Sequence, residues 1–194
     1  AFAGVMALSQ RKRGAGEEGT VEARSLNERF EMHEEAVRAV TEDPLESKAR
    51  GKDQKKEKKA KRKAIKQALK AENDSEARRP RVFVLDFDGD MQASQVDQLR
   101  EEVSAILPVV GESDKVLLRL ESGGGVVHGY GLAASQLMRL KDAGITLTVS
   151  VDKVAASGGY MMACVGDEII AAPFAILGSI GVVAQLPNFH RLLK

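Results

Sequence analysis

Three runs rich in β-branched and aliphatic residues, RVFVLDF (81–87), KVLLRL (115–120) and ITLTVSV (145–151), alternate with stretches of helical spacing. No other feature constrains the fold as much. Between the first two runs, Ser94 with Asp97 opens a helical pattern that sets Val96, Leu99, Val103 and Ile106 on one face. Between the second and third, GLAASQLMRLKDAG forms another helix, closing on Gly144. Strands joined through helices pair in parallel, because the chain must cross back before it can lay down the next strand. The expected domain is α/β, with a mainly parallel sheet covered on both faces. Chemistry in such sheets collects beyond the carboxyl ends of the strands.

The chain before Pro80 has a different character. Gly14 to Gly19 reads as a flexible link, and Ser25-Leu26-Asn27-Glu28 as a capping box opening a helix. Leu26, Phe30, His33, Val37 and Val40 then form an amphipathic stripe too short to establish a coiled coil. From Lys52 to Lys70 there are ten basic residues and two acidic ones, Asp53 and Glu57. Such a run reads first as a solvated or disordered linker and second as a contact for anionic lipid or nucleic acid. Ala1 to Leu8 is apolar and stops at Arg11-Lys12-Arg13. A spanning helix needs about 20 apolar residues, so this stretch is expected to be the cytoplasmic end of a longer anchor; a frayed terminus or a signal remnant is the alternative. The expected organisation is an anchor end at 1–13, a charged helical or disordered linker at 14–79, and the N-terminal part of a folded domain at 80–194. At the far end, PNFHRLLK follows a helix-like pattern.

Composition narrows the function classes. The 29 basic and 28 acidic residues leave a net charge of +1, so bulk charge selects no partner. One cysteine, Cys164, supports neither a disulfide framework nor a CxxC metal site, and His33, His128 and His190 are scattered. Aromatics are 4% with no tryptophan, so the stacking platforms of single-strand binders are missing. No metal, cofactor or nucleic-acid partner is expected.

Two strand ends carry the candidate chemistry. VDKVAASGGYMMACVG (151–166) sets Ser157 between two alanines and two glycines, after a β-branched run and before a short apolar stretch. A helix starting just after Ser157 would put its hydroxyl among free backbone N–H groups, with room for a substrate main chain. That is the logic of a nucleophile elbow, although the motif is A-A-S-G-G; an ordinary N-cap serine reads equally well from this segment. The other end is ESGGG (121–125), where consecutive glycines can bring main-chain N–H groups up to a ligand as an oxyanion hole. A phosphate loop would need Lys-Ser/Thr after the glycines, and Val126-Val127-His128 stands there instead. A plain tight turn remains open. Two glycine-bracketed strand ends, one bearing a serine, favour acyl transfer.

LLRLES, S-x-G-G, VHGYGLAASQL, TVSVDKVAASGGYMMAC and APFAILGSIGVVAQLPNF together resemble the SohB-type bacterial serine proteases of the signal peptide peptidase A family, from about Arg81 to Lys194. The resemblance implies a ClpP/crotonase-like fold of repeated ββα units, a bacterial inner-membrane anchor, a ring-like homo-oligomer, and peptide or membrane-protein substrates. It implies Ser157 as nucleophile, Ser179 as partner of a catalytic lysine, and Gly124, Gly125 and the Gly158 amide as the oxyanion hole. The lysine itself is expected beyond Lys194. Gly123 departs from the pattern, since proline is usual there, and the loop loses a fixed φ.

A serine–lysine dyad needs a neutral amine, and an exposed lysine with a pKa of about 10.4 is charged at neutral pH. Burial in apolar surroundings lowers that value, and AAPFAILGSIGVVAQL would supply them. The stretch 173–186 is too short to cross a membrane, and Gly178, Ser179 and Gly181 read better as strand and loop within the fold; its apolarity suits a groove for extended peptides. Lys153 is expected in a structural or surface role, His128 as a packing or loop residue unpaired with Asp86 or Asp152, and Cys164 as a small buried apolar residue. The rival readings are a crotonase-like acyl-CoA enzyme and a non-catalytic membrane scaffold.

Overall fold

The computed structural model describes residues 20–70 and 80–181. They divide into two compact units, one within Glu22–Arg79 and one from Pro80 onward. The anchor expected at 1–13 and the pattern at 187–194 lie outside the described residues.

In the first unit, α1 (Leu26–Thr41) begins as its sequence predicts, with the Ser25 side chain accepting the Glu28 N–H at 3.3 Å. Its stripe stays exposed: Phe30, Val37 and Val40 are all open to solvent. The lysine-rich run is helical, forming most of α2 (Pro44–Lys70). Lysine, arginine, glutamine and alanine are good helix formers, so propensity favours a helix here. Among the described residues no helix is long and apolar enough to cross a membrane.

The second unit runs β1 (Val82–Gly89), α3 (Val96–Ile106), β2 (Lys115–Ser122), α4 (Val127–Asp142), β3 (Thr146–Val151), β4 (Val154–Ala156), α5 (Gly158–Ala163), β5 (Glu168–Ala171) and β6 (Ile176–Gly178). Every strand pairing is parallel. β2 is the hub. One edge carries β1 along its whole length, from Val82↔Lys115 to Gly89↔Ser122. The other edge carries β3 from Lys115 to Arg119 and then β4 at Ser122↔Ala155. The chain bends at Asp152-Lys153, so β3 leads outward to β5 while β4 leads to β6. The result is the curled, mainly parallel α/β sheet of ββα turns that the sequence led one to expect.

Burial alternates strictly along β2, with Val116, Leu118, Leu120 and Ser122 inward. Leu85 and Phe87 share that face through the register, as do Leu147 and Val149. α3, α4 and α5 pack on this side and on one another. The opposite face carries charge: Asp86 grips Arg119 of its neighbour at 2.5 and 2.6 Å. The expectation of a sheet covered on both faces is therefore corrected. Within the described part of this unit the helices cover one face, and the period-2 pattern of β2 is that of a half-buried sheet.

Candidate functional site

The site is built where β4 turns into α5. Ser157 adopts φ 51° and ψ −115°, outside the conformations that residues with a Cβ favour. Its N–H donates to Gly178 O at 2.8 Å, tying it to the end of β6, and its carbonyl accepts the Met161 N–H at 3.0 Å in α5. The side chain makes no capping bond. An N-cap serine would take an N–H of the first turn, so the capping reading fails and the half-buried hydroxyl is left uncommitted. A non-glycine residue held at positive φ costs of order 1–3 kcal/mol and persists only where its surroundings enforce it.

The glycine loop after β2 comes directly against this serine. Gly124 has φ 85°, and a Cβ placed on it would stand 2.7 Å from the Ser157 Cβ and 2.9 Å from the Gly158 N. Only a residue without a side chain fits. Gly125 is pressed against Met91, whose carbonyl a Cβ would meet at 2.1 Å, and the adjacent Val126 N–H donates to that same carbonyl at 2.9 Å. Gly158 lies against the Tyr130 ring, 2.3 Å from Cγ to a notional Cβ, and Gly159 against Ser122. Thus Ser157, Gly124 and Gly158 converge, with Gly125 next in the loop. Their amides are not equivalent. The Gly124 N–H is donated to Ser122 Oγ at 3.0 Å, while the Gly125 and Gly158 N–H groups have no acceptor among the described residues.

Ser179 follows Gly178, which pairs with Ala156, so it comes one strand away from Ser157. It too has positive φ, 52°, and is exposed. The apolar residues on either side of it in sequence, Phe174 before β6, Ile176 within it and Ile180 after it, are strongly exposed.

Two of the three lysines described in this unit are paired with carboxylates and the third lies at the far end of β2. Lys153 Nζ donates to both Glu121 carboxylate oxygens at 2.9 and 3.0 Å, which raises its pKa and keeps it charged. Lys141 pairs with Asp167, and Lys115 opens β2 at the end of the strand opposite the glycine loop. His128 is exposed on the first turn of α4, and Asp86 is committed to Arg119. Among the described residues His128 forms no hydrogen bond or ion pair with Asp86 or Asp152. Cys164 corrects the sequence expectation: it is exposed at the C-terminal end of α5, beside Tyr160, where the short helix turns its last residue outward.

Sequence reasoning passed over Ser122 and Tyr130. Both are buried, and Tyr130 Oη lies 2.6 Å from Ser122 Oγ and donates to Asp90 O at 2.7 Å. A serine opening a glycine run, and a lone tyrosine on an otherwise aliphatic helix face, were the available signals. Ser94 was misread as a helix cap. Its N–H and hydroxyl bind the Asp90 carboxylate instead, holding that carboxyl below its ordinary range, and Gln95 takes the N-cap position of α3.

Residues 1–137 match the profile "Peptidase family S49 N-terminal" and residues 139–194 match "Peptidase family S49". A "Probable protease SohB" of Haemophilus influenzae is 56% identical over 188 residues, covering 96% of this chain and 53% of that protein. One from Buchnera aphidicola subsp. Schlechtendalia chinensis is 69% identical over 115 residues, covering 59% of this chain and 38% of that protein. "Protease 4" of H. influenzae is 35% identical over 79 residues, 41% of this chain and 13% of that protein. The chain thus spans about half the length, or less, of the curated relatives it matches.

Proposed function

Because the chain belongs to peptidase family S49, we propose that it carries the nucleophile and the oxyanion loop of a serine endopeptidase. The observation behind this reading is the approach of Gly124 to the strained, uncommitted Ser157. Ser157 Oγ attacks the scissile carbonyl carbon while a base takes its proton. The carbonyl π pair moves to oxygen, and the resulting oxyanion accepts from the unengaged Gly125 and Gly158 amides, with Gly124 shaping the pocket. Collapse expels the amine, which takes the proton from the base, and leaves an acyl-enzyme. Water then attacks the ester and releases the acid.

The base is a lysine outside the described residues, made neutral by burial and oriented by Ser179. Lys153 is unsuited because Glu121 keeps it cationic. Extended peptides with apolar side chains are the substrates, lying along the exposed β6 edge near Ile176 and Phe174. The protein works as a homo-oligomer at the bacterial inner membrane, with the basic face of α2 against anionic headgroups.

Hydrolysis of apolar reporter peptides by the complete gene product tests the reading. Ser157→Ala should lower kcat by about 10^4-fold or more. Equal turnover by wild type and the variant would end it.

A further inference from the structure

We infer that Tyr130 and Ser122 are positioning residues for the oxyanion loop; the inference rests on the peptidase reading above. Tyr130 is fully buried in α4 and Ser122, the last residue of β2, is nearly so. A phenol has one proton. Since Tyr130 Oη donates it to Asp90 O at 2.7 Å, Ser122 Oγ is the donor in the 2.6 Å contact, which is far shorter than its other donor contact, to Gly89 O at 3.4 Å. Ser122 Oγ in turn accepts the Gly124 N–H at 3.0 Å. The chain of bonds therefore has one direction: Gly124 N–H to Ser122, Ser122 O–H to Tyr130, Tyr130 O–H to the Asp90 carbonyl. Bonds aligned in this way polarise one another in a dry interior.

The same ring also fixes the third wall of the site. It lies close against Gly158, with no space for a methyl group between them, and meets Phe87 edge-to-face at a centroid distance of 6.3 Å. One side chain thus touches all three loops: Asp90 after β1, Gly124 through Ser122 after β2, and Gly158 after β4. Burial raises the Tyr130 pKa, so it stays a neutral phenol at working pH. Its part is geometric, holding the loop amides at a set distance from the Ser157 hydroxyl. A phenylalanine would pack as well, and only the hydroxyl explains a polar group at this depth.

The test is fluorophosphonate inactivation of the full-length protein, resolving the maximal inactivation rate from the concentration for half-maximal rate, for wild type, Tyr130→Phe, Ser122→Ala and the double variant. Tyr130→Phe should slow the maximal rate about 10- to 100-fold, as expected for a small misplacement of the reacting groups. Half-saturation and the pH profile should stay unchanged. The double variant should be no slower than the worse single one, because both cut the same chain of bonds. Wild-type rates in Tyr130→Phe overturn the inference. So does a loss that disappears once rates are normalised to the folded fraction from thermal melts. A folded wild type that takes no label overturns the peptidase reading itself, and this inference with it.

Discussion

Glycine at 124 and at 158 answers two different demands. At 124 the backbone has φ 85° and a Cβ would meet the Ala156 carbonyl at 2.7 Å, whereas at 158 the obstacle is the Tyr130 ring. Gly124→Ala and Gly158→Ala should each destabilise by about 1–3 kcal/mol and abolish labelling of Ser157. Gly123→Ala should leave both unchanged, because nothing lies within 4 Å of a Cβ there; melts and labelling of the three variants check this contrast. A further residue-scale prediction concerns pH. The Asp114 carboxyl is held well below its ordinary range, chiefly by the Arg81 guanidinium and then by the Gly111 N–H. Its folded pKa is depressed, so its contribution is complete above the unfolded value of about 3.9 and is lost as pH falls below it. Melting midpoints of wild type should exceed those of Asp114→Asn at pH 7 and approach them in acid. At this scale the sequence pointed to Ser157 and Gly124 because small residues around a hydroxyl leave a local mark. Ser122, Tyr130 and Asp90 were silent, since their bonds join residues 8 and 40 positions apart and impose no spacing on the chain.

Among the elements, the strands that lie in the core were the legible ones. β1, β2 and β3 bury alternate aliphatic residues against α3 and α4, and burial is what writes β-branched runs into a sequence. Leu118, with no exposure at the centre of β2, should cost about 2–5 kcal/mol on truncation to alanine. Denaturant titration of Leu118→Ala measures this, with the exposed Leu132→Ala on α4 as a milder comparison. β5 and β6 were not separable as strands. They have four and three residues and face solvent, so strand and loop could be read around Gly178 but no strand bounds could be set. Of the two forms expected for the charged segment, helical or disordered, the polybasic run takes the helical one. On α2, Lys52, Lys55, Lys59, Arg62 and Lys66 recur every three or four residues, and all are exposed. If this stripe meets anionic lipid, replacing the five with glutamine should weaken full-length protein binding to phosphatidylglycerol vesicles, and added salt should do the same to wild type. Equal sedimentation of wild type and variant would remove that role.

For the whole molecule, the strained serine and the glycine turn are held together by a sheet rather than by each other. β2 supplies the glycine loop from its carboxyl end, and β4 supplies Ser157 from the strand paired to it at Ser122↔Ala155. The parallel register brings the ends of β2 and β4 to one level, the place where β-α alternation leads one to look for a site. The chain covers about half of its H. influenzae relative, and the decisive experiment belongs on the complete gene product. Intact-mass and peptide-mapping spectrometry after fluorophosphonate treatment should find one adduct per chain, on the peptide containing Ser157, absent in Ser157→Ala. A folded wild type that stays unmodified, or that carries its adduct on Ser122 or Ser179 instead, would contradict the assignment of that hydroxyl as the nucleophile.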